Sequence, residues 1–380
     1  MDVFGEMKCL ELVVCYVCLL SCCCGETDPV RRQHQQLKQL LLSNYSKTVS
    51  PYGDTTRINV TASFALSAIL AVEETSQIFR MSGVLDLAWS DSWLTWNDSN
   101  DVMMLTFTKK EIWTPNLIIP NGVGNKIASI LSTSMTIDVT SSGEVLMLLF
   151  GEFETICDID VKWYPYDEQV CHMSVLCLNE ANLDPGDHDS GTIFSQYFTG
   201  SSEWELVNST TNLKYIHTEL YTVSYVDFEF RLRRHSIFYT LSVIFPMCLL
   251  SLLNACVFLL PAASGEKVSF LVSIFVSEAV FLNYINDAIP KSGNASRLII
   301  YLVLLLSQSA LALLATLLVM NTHHRKGPLI YLLRKIKVSP ATAGTEATGF
   351  QEDELVDKLD NILFVVFVAI AIASLLLCYV

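Results

Sequence analysis

The sequence predicts an exported all-β, immunoglobulin-like sandwich that opens with a short helix and is followed by a four-helix transmembrane bundle. Three observations carry that expectation. Between residues 57 and 234 apolar side chains recur with period two, the mark of strands with one buried face. At His235 the composition changes abruptly, and four apolar segments follow, each long enough to cross about 30 Å of hydrocarbon. Ahead of both, Lys8, an apolar run over 10–20 and the small residues Ser21 to Gly25 read as an export leader.

Of the 380 residues 51% are hydrophobic, and the mean hydropathy is +0.41, which leaves room for one soluble domain beside the membrane segments. The net charge of −15 argues against nucleic acid as a partner, whereas an acidic exterior concentrates cations. Six of the twelve cysteines fall within residues 1–24. That stretch is either a cleaved signal peptide or a retained anchor. Both place the chain from Arg31 onward outside the cytoplasm, where a disulfide is permitted. Residues 25–234 then form the extracellular domain and 235–380 the membrane domain.

Residues 31–45 carry Leu37, Leu40, Leu41 and Leu42 at helical spacing, and Pro51, Gly53 and Asp54 close that helix. Strands follow. Ile58, Val60, Ala62, Phe64 and Leu66 alternate with polar or small neighbours, and Cys157, Ile159, Val161 and Trp163 do the same. Turns are expected at Asn97-Asp98-Ser99-Asn100, Pro120-Asn121-Gly122, Ser141-Ser142-Gly143 and Asp184-Pro185-Gly186. Four sequons, at Asn44, Asn59, Asn97 and Asn208, fit an exported glycoprotein.

The spans are expected at 237–260, 267–285, 298–320 and 362–380. Six residues separate the first two, which makes a tight hairpin. Arg325, Lys326, Arg334, Lys335 and Lys337 follow the third span and mark its end as cytoplasmic, so both termini lie outside. The cytoplasmic link 321–361 reads as a flexible linker over 341–349 and an acidic helix over 350–360 running into the last span.

In the second span, Ser269, Ser273, Val276, Val280, Asn283, Tyr284 and Asp287 share one face at ~100° per residue, with acids Glu266 and Asp287 near the ends. A hydroxyl-bearing stripe of this kind reads as the wall of a water-filled pore. A buried helix using serines for interhelical contacts is the alternative. No Ser/His/Asp set, metal spacing or phosphate loop stands out, so the chain does not read as an enzyme, and His323-His324 reads as a solvated membrane-edge pair.

Cys157 and Cys171 enclose thirteen residues, DIDVKWYPYDEQV, with an aromatic-Pro-aromatic-Asp tip. Around them stand LLSNY at 41–45, Trp89-Ser90-Asp91, Trp113-Thr114-Pro115-Asn116 and Pro246 inside the first span. Gly265-Glu266-Lys267 precedes the second span and Asn321-Thr322-His323-His324-Arg325 ends the third. Taken in order from about Arg31 to Val380, these resemble the Cys-loop pentameric ligand-gated ion channels, and within them the nicotinic acetylcholine receptor branch.

The resemblance implies a Cys157–Cys171 disulfide, a multi-pass place in the plasma membrane (a postsynaptic one among the settings), and no cofactor. Four further subunits would be the partners, a homopentamer foremost, with a small-molecule extracellular ligand, membrane lipids and permeant monovalent cations. It puts Glu74, Tyr164, Pro165, Tyr166, Asp167, Arg234, Lys291 and Arg297 at a gating interface, with Glu74, Asp167 and Arg234 as a charged cluster. The sequence leaves the Tyr164–Pro165 isomer open.

Gly265-Glu266-Lys267 resembles the cation-selective filter. Five copies of Glu266 would form an acidic ring, and Asp287 another at the outer end. Ser269 and Ser273 would supply hydroxyls to the narrow part, and Val276 and Val280 the girdle that closes by dewetting. Valine where leucine is usual implies a less secure gate, and Tyr284 narrows the outer pore. Glu278 lies about 180° from the Ser269 line, toward the other helices, with Gln308 a candidate partner. A pH-sensitive element and a neutral hydrogen-bonded acid both fit it.

The nicotinic ligand site is an aromatic box that holds an ammonium by cation–π attraction. The matching ligand-site candidates here are Trp113, Pro120, Leu178, Val84 and Met147, with Tyr215 and Tyr221 in the loop after Lys214, where the vicinal cysteine pair is absent. Lost aromatic walls, at ~0.5–2 kcal/mol each, make acetylcholine a poor fit and leave another amine or amphiphile, or no classical agonist. The expectation is therefore a ligand-gated, cation-selective channel subunit. The competing reading is a non-conducting accessory or ligand-sequestering subunit of a hetero-oligomer.

Overall fold

The structure, a computed structural model, describes residues 29–53, 57–97, 102–124, 136–177, 181–186, 198–217, 222–261, 265–288, 295–325 and 348–379. The leader over 1–24, Leu178, Tyr221, Lys291 and the turn at 98–100 lie outside the described residues.

Helix α1 (Pro29–Ser43) rests its leucine side, Leu37, Leu41 and Leu42, on the sandwich core. Ten strands follow among the described residues: β1 (Ile58–Glu73), β2 (Ile78–Ser90), β3 (Met104–Thr108), β4 (Leu117–Ile118), β5 (Thr136–Thr140), β6 (Glu144–Ile156), β7 (Glu168–Cys177), β8 (Ala181–Pro185), β9 (Trp204–His217) and β10 (Thr222–Arg234). One sheet runs β3-β5-β6-β2-β1-β8 and the other β4-β7-β10-β9. All pairings are antiparallel except β1 with β8. Phe79, Met81, Leu85 and Leu87 of β2 face Val226, Phe228, Phe230 and Leu232 of the other sheet across one apolar core.

Two local expectations change. Asp184-Pro185 is not a turn but the end of β8. As an edge strand, β8 tolerates a residue without an N–H. The 157–161 segment keeps a strand's alternation, with Cys157, Ile159 and Val161 buried, but it is not a strand, and 162–165 form a turn. Asp160 pairs with a side chain in place of a ladder: its N–H donates to Gln169 Oε1 at 3.0 Å, and Gln169 Nε2 donates to the Asp160 carbonyl at 2.9 Å. Trp163, with no sheet to cover it, is exposed. The disulfide joins Cys157 to Cys171 of β7, and Tyr164–Pro165 is cis.

Four helices follow: α2 (Ile237–Leu259), α3 (Lys267–Ala288), α4 (Arg297–Arg325) and α5 (Thr348–Tyr379). Each holds a segment long and apolar enough to span a bilayer. In α2, Thr240–Ile244 forms a wider π turn just before Pro246, whose ring cannot accept a normal preceding turn. The acidic residues ahead of the last span belong to the same helix as the span itself. Apolar contacts run unbroken from the sandwich into the bundle through Tyr164, Val243, Ile244, Met247, Ile285, Leu298 and Tyr301.

Candidate functional site

The last residue of β10 ties the two domains together. Arg234, with a fully buried side chain, meets Glu74 Oε1 at 2.8 Å, Asp167 Oδ1 at 2.9 Å and Glu203 Oε1 at 2.8 Å. Its guanidinium lies 4.2 Å from the Trp204 ring centre and 4.9 Å from that of Tyr164. Burial works against its charge, but the hydrogen bonds and charges of Asp167 and Glu74 outweigh it, so Arg234 holds its proton more tightly than usual. Burial also pushes the Tyr164 hydroxyl up. Four of the residues expected at this junction, Glu74, Tyr164, Asp167 and Arg234, therefore meet. Glu203 and Trp204 complete the cluster, and sequence reasoning missed them. The Glu203 carboxylate also accepts from the Tyr239 hydroxyl of α2 at 2.8 Å.

The loop closed by the disulfide touches two membrane helices. The Tyr166 hydroxyl is 2.9 Å from Thr240 Oγ1 of α2. The Arg297 N–H, at the start of α4, donates to the Lys162 carbonyl at 3.0 Å. Its guanidinium stands 3.3 Å over the Trp163 ring.

Helix α3 has two unlike sides. Glu266, Ser269, Ser273, Val276, Val280, Asn283 and Tyr284 are exposed, Val280 by 62% and Tyr284 by 65%. Lys267, Leu271, Ile274, Glu278 and Ile285 are buried against the rest of the bundle. The Ser273 and Ser277 hydroxyls donate to the carbonyls one turn back, Ser269 and Ser273, at 2.9 Å each. That arrangement leaves the Ser273 oxygen able to accept a further hydrogen bond. Glu278 faces inward as expected, but its partner is Ser309, which donates at 2.5 Å. Gln308 instead donates to the Phe367 carbonyl of α5 at 3.1 Å and accepts from Ser251 of α2.

The ligand-site positions scatter. Trp113 and Met147 are 3% and 1% exposed, inside the sandwich core. Met147 sits opposite Leu87 and Ile137 on the inward face of β6, so by strand alternation Leu146 and Leu148 look the other way. Trp113 is held edge-on to Trp89 at 6.0 Å. Val84 is on the outward face of β2 beside Phe150, yet it is covered. Pro120 and Tyr215 are exposed. Beside Tyr215, Lys214 of β9 pairs with buried Asp227 of β10, which also accepts from Ser174 at 2.7 Å and lies 3.2 Å from His172 Nδ1. Burial would raise the Asp227 carboxyl, but the bonds from Lys214 and Ser174 and the His172 charge outweigh it and hold the group below its ordinary range.

The LLSNY, WSD and WTPN motifs converge on a structural knot away from the membrane. Tyr45 donates to Asp91 Oδ2 at 2.6 Å and accepts from the Trp113 N–H at 3.3 Å, and the Asp91 N–H donates to the Gly143 carbonyl at 2.8 Å. Asn44, Asn59, Asn97 and Asn208 are all exposed.

Residues 34–236 match the neurotransmitter-gated ion-channel ligand binding domain, and 243–331 match the neurotransmitter-gated ion-channel transmembrane region. The chain is 29% identical over 324 residues to the neuronal acetylcholine receptor subunit alpha-2 of Gallus gallus, covering 83% of this chain and 60% of that one. It is 29% identical over 316 residues to the neuronal subunit beta-3 of Homo sapiens, covering 78% and 66%. It is 30% identical over 302 residues to the acetylcholine receptor subunit beta-like 2 of Drosophila melanogaster, covering 75% and 58%. The chain thus spans about three fifths of these relatives' lengths. With its disulfide loop, its sandwich and its four spans, the chain belongs to the neurotransmitter-gated ion channels, as a nicotinic-like Cys-loop subunit that crosses the plasma membrane several times.

Proposed function

We propose that this subunit forms the pore of a pentameric, cation-selective channel opened by an extracellular ligand other than acetylcholine, with a homopentamer as its simplest assembly. One observation carries the reading. The exposed side of α3 holds an acid, hydroxyls, then valines, while its other side is packed into the bundle. Five such helices around an axis would put Glu266 at the cytoplasmic mouth and Val276 and Val280 at a girdle that closes by dewetting. The Arg234 cluster and the Trp163–Arg297 contact would carry ligand-driven movement of the sandwich into α2 and α4.

Pro120 and Val84 offer no aromatic wall, Trp113 and Met147 are interior, and Tyr215 is the exposed aromatic candidate among the described residues. Cation–π capture of a quaternary ammonium has little to work with there. The test is voltage clamp of the chain expressed alone, with acetylcholine, choline, primary amines and pH steps applied in turn. A current to one of these with little response to acetylcholine supports the reading. A chain that reaches the surface and passes no current under any condition supports the accessory-subunit reading instead.

A further inference from the structure

Glu266 and Lys267 are neighbours in sequence, and the fold sorts their charges to opposite sides. Gly265, at φ +68°, turns the chain into α3, and the Glu266 carbonyl accepts the first helical bond from the Phe270 N–H at 3.0 Å. The Glu266 side chain is exposed. Lys267 is the first residue of α3, where the helix end is already partly positive and a cation is unfavourable. Its side chain is nevertheless 1% exposed, and its ammonium donates to Asp360 Oδ2 at 2.7 Å. Asp360 is itself buried, on α5, 93 residues away in sequence. Among the described residues, Asp357, one turn earlier on α5, also acts on Asp360, and Glu266 adjoins Lys267 in sequence.

We propose that Asp360 is a positioning residue for ion selectivity. By holding the Lys267 ammonium inside the bundle, it keeps that charge away from the Glu266 carboxylate at the pore mouth. The proposal rests on Glu266 as the charge filter. A lysine has a flexible four-carbon stem and a compact, strongly hydrated head. Without Asp360 the ammonium would be a buried, unpaired cation and would swing to the nearest water. Its sequence neighbour Glu266 is exposed, so the shortest way to solvent leads to that side. Five such lysines would offset five carboxylates, and the mouth would lose its preference for cations. The specificity would thus be set jointly by the second span and by an acid on the fourth.

Two readouts on the full-length protein test this. The first is acetylation of Lys267 by a water-soluble amine reagent in membranes, read by peptide mass spectrometry. Lys267 should be protected in the wild type and in Asp360→Glu, and modified severalfold faster in Asp360→Asn. The second is the reversal potential under sodium chloride dilution, in a Val276→Ser background whose polar girdle wets without agonist. Asp360→Asn should move it toward the chloride potential, and the double variant Lys267→Gln/Asp360→Asn should return it. Lys267→Gln alone should keep the parent value. Equal labelling of Lys267 in wild type and Asp360→Asn would overturn the proposal. So would an unshifted Asp360→Asn, or a marked rise in cation preference in Lys267→Gln. A parent channel that follows chloride sinks the cation reading itself, and the labelling still decides whether Asp360 confines Lys267.

Discussion

The Arg297 guanidinium stands 3.3 Å over the Trp163 ring while its N–H bonds the Lys162 carbonyl, so the first residue of α4 is gripped twice by the disulfide loop. Trp163 is otherwise exposed, which makes it a contact surface rather than a core residue. Trp163→Ala removes a partly solvated cation–π contact worth about 0.5–1 kcal/mol. The open–closed equilibrium should shift about two- to fivefold, read as a changed half-maximal agonist or standing current, with the reversal potential unmoved.

Arg234→Ala should act differently, because it strands the carboxylates of Glu74, Asp167 and Glu203. Breaking a buried pair by removing one partner costs about 3–5 kcal/mol. Surface biotinylation should therefore show loss of mature protein rather than altered gating. Arg234→Lys should rescue poorly, since an ammonium cannot reproduce the guanidinium fork.

Gly143 sits at φ +85°, and a Cβ there would fall 2.5 Å from the Asp91 carbonyl oxygen. Gly143→Ala should destabilise the fold by about 1–3 kcal/mol. A thermal melt of the purified receptor should show a lowered midpoint, with the Tyr45–Asp91–Trp113 knot disturbed.

Asp227 makes a pH prediction. Its folded-state pKa is depressed, so it adds stability that is fully present above the ordinary unfolded carboxylate value of about 3.9 and is lost as pH falls through the lower folded value. Between pH 7 and pH 3 the melting temperature of the wild type should drop more steeply at the acid end than that of Asp227→Asn. Parallel curves would show that the Lys214–Asp227 pair contributes nothing.

Much of this was legible in the sequence where a period or a short loop carries the signal. The two sides of α3 follow from a 3.6-residue repeat, and the disulfide from a resemblance that runs from about Arg31 to Val380 and includes its signature loop. The misreadings have local causes. Burial alternates over 157–161 as in a strand, but the ladder partner is the Gln169 amide, which no period reveals. Met147 faces inward because strand faces switch with every residue, which puts its neighbours Leu146 and Leu148 on the other face of β6. Asp184-Pro185 resembles a turn because turn chemistry and an edge strand tolerate the same proline. The charged pairs were the least legible. Arg234 with Glu203 and Lys267 with Asp360 join residues 31 and 93 apart, and only the packed chain brings them together.

Whether the exposed stripe of α3 forms a water-filled wall is read most directly from single cysteines along that helix, labelled from outside with a charged, membrane-impermeant thiol reagent. Val280→Cys and Tyr284→Cys, on the exposed side, should label readily, and Glu278→Cys and Ile285→Cys, on the packed side, should not. Protection of Val280→Cys and Tyr284→Cys, as on a lipid-facing surface, would contradict the account.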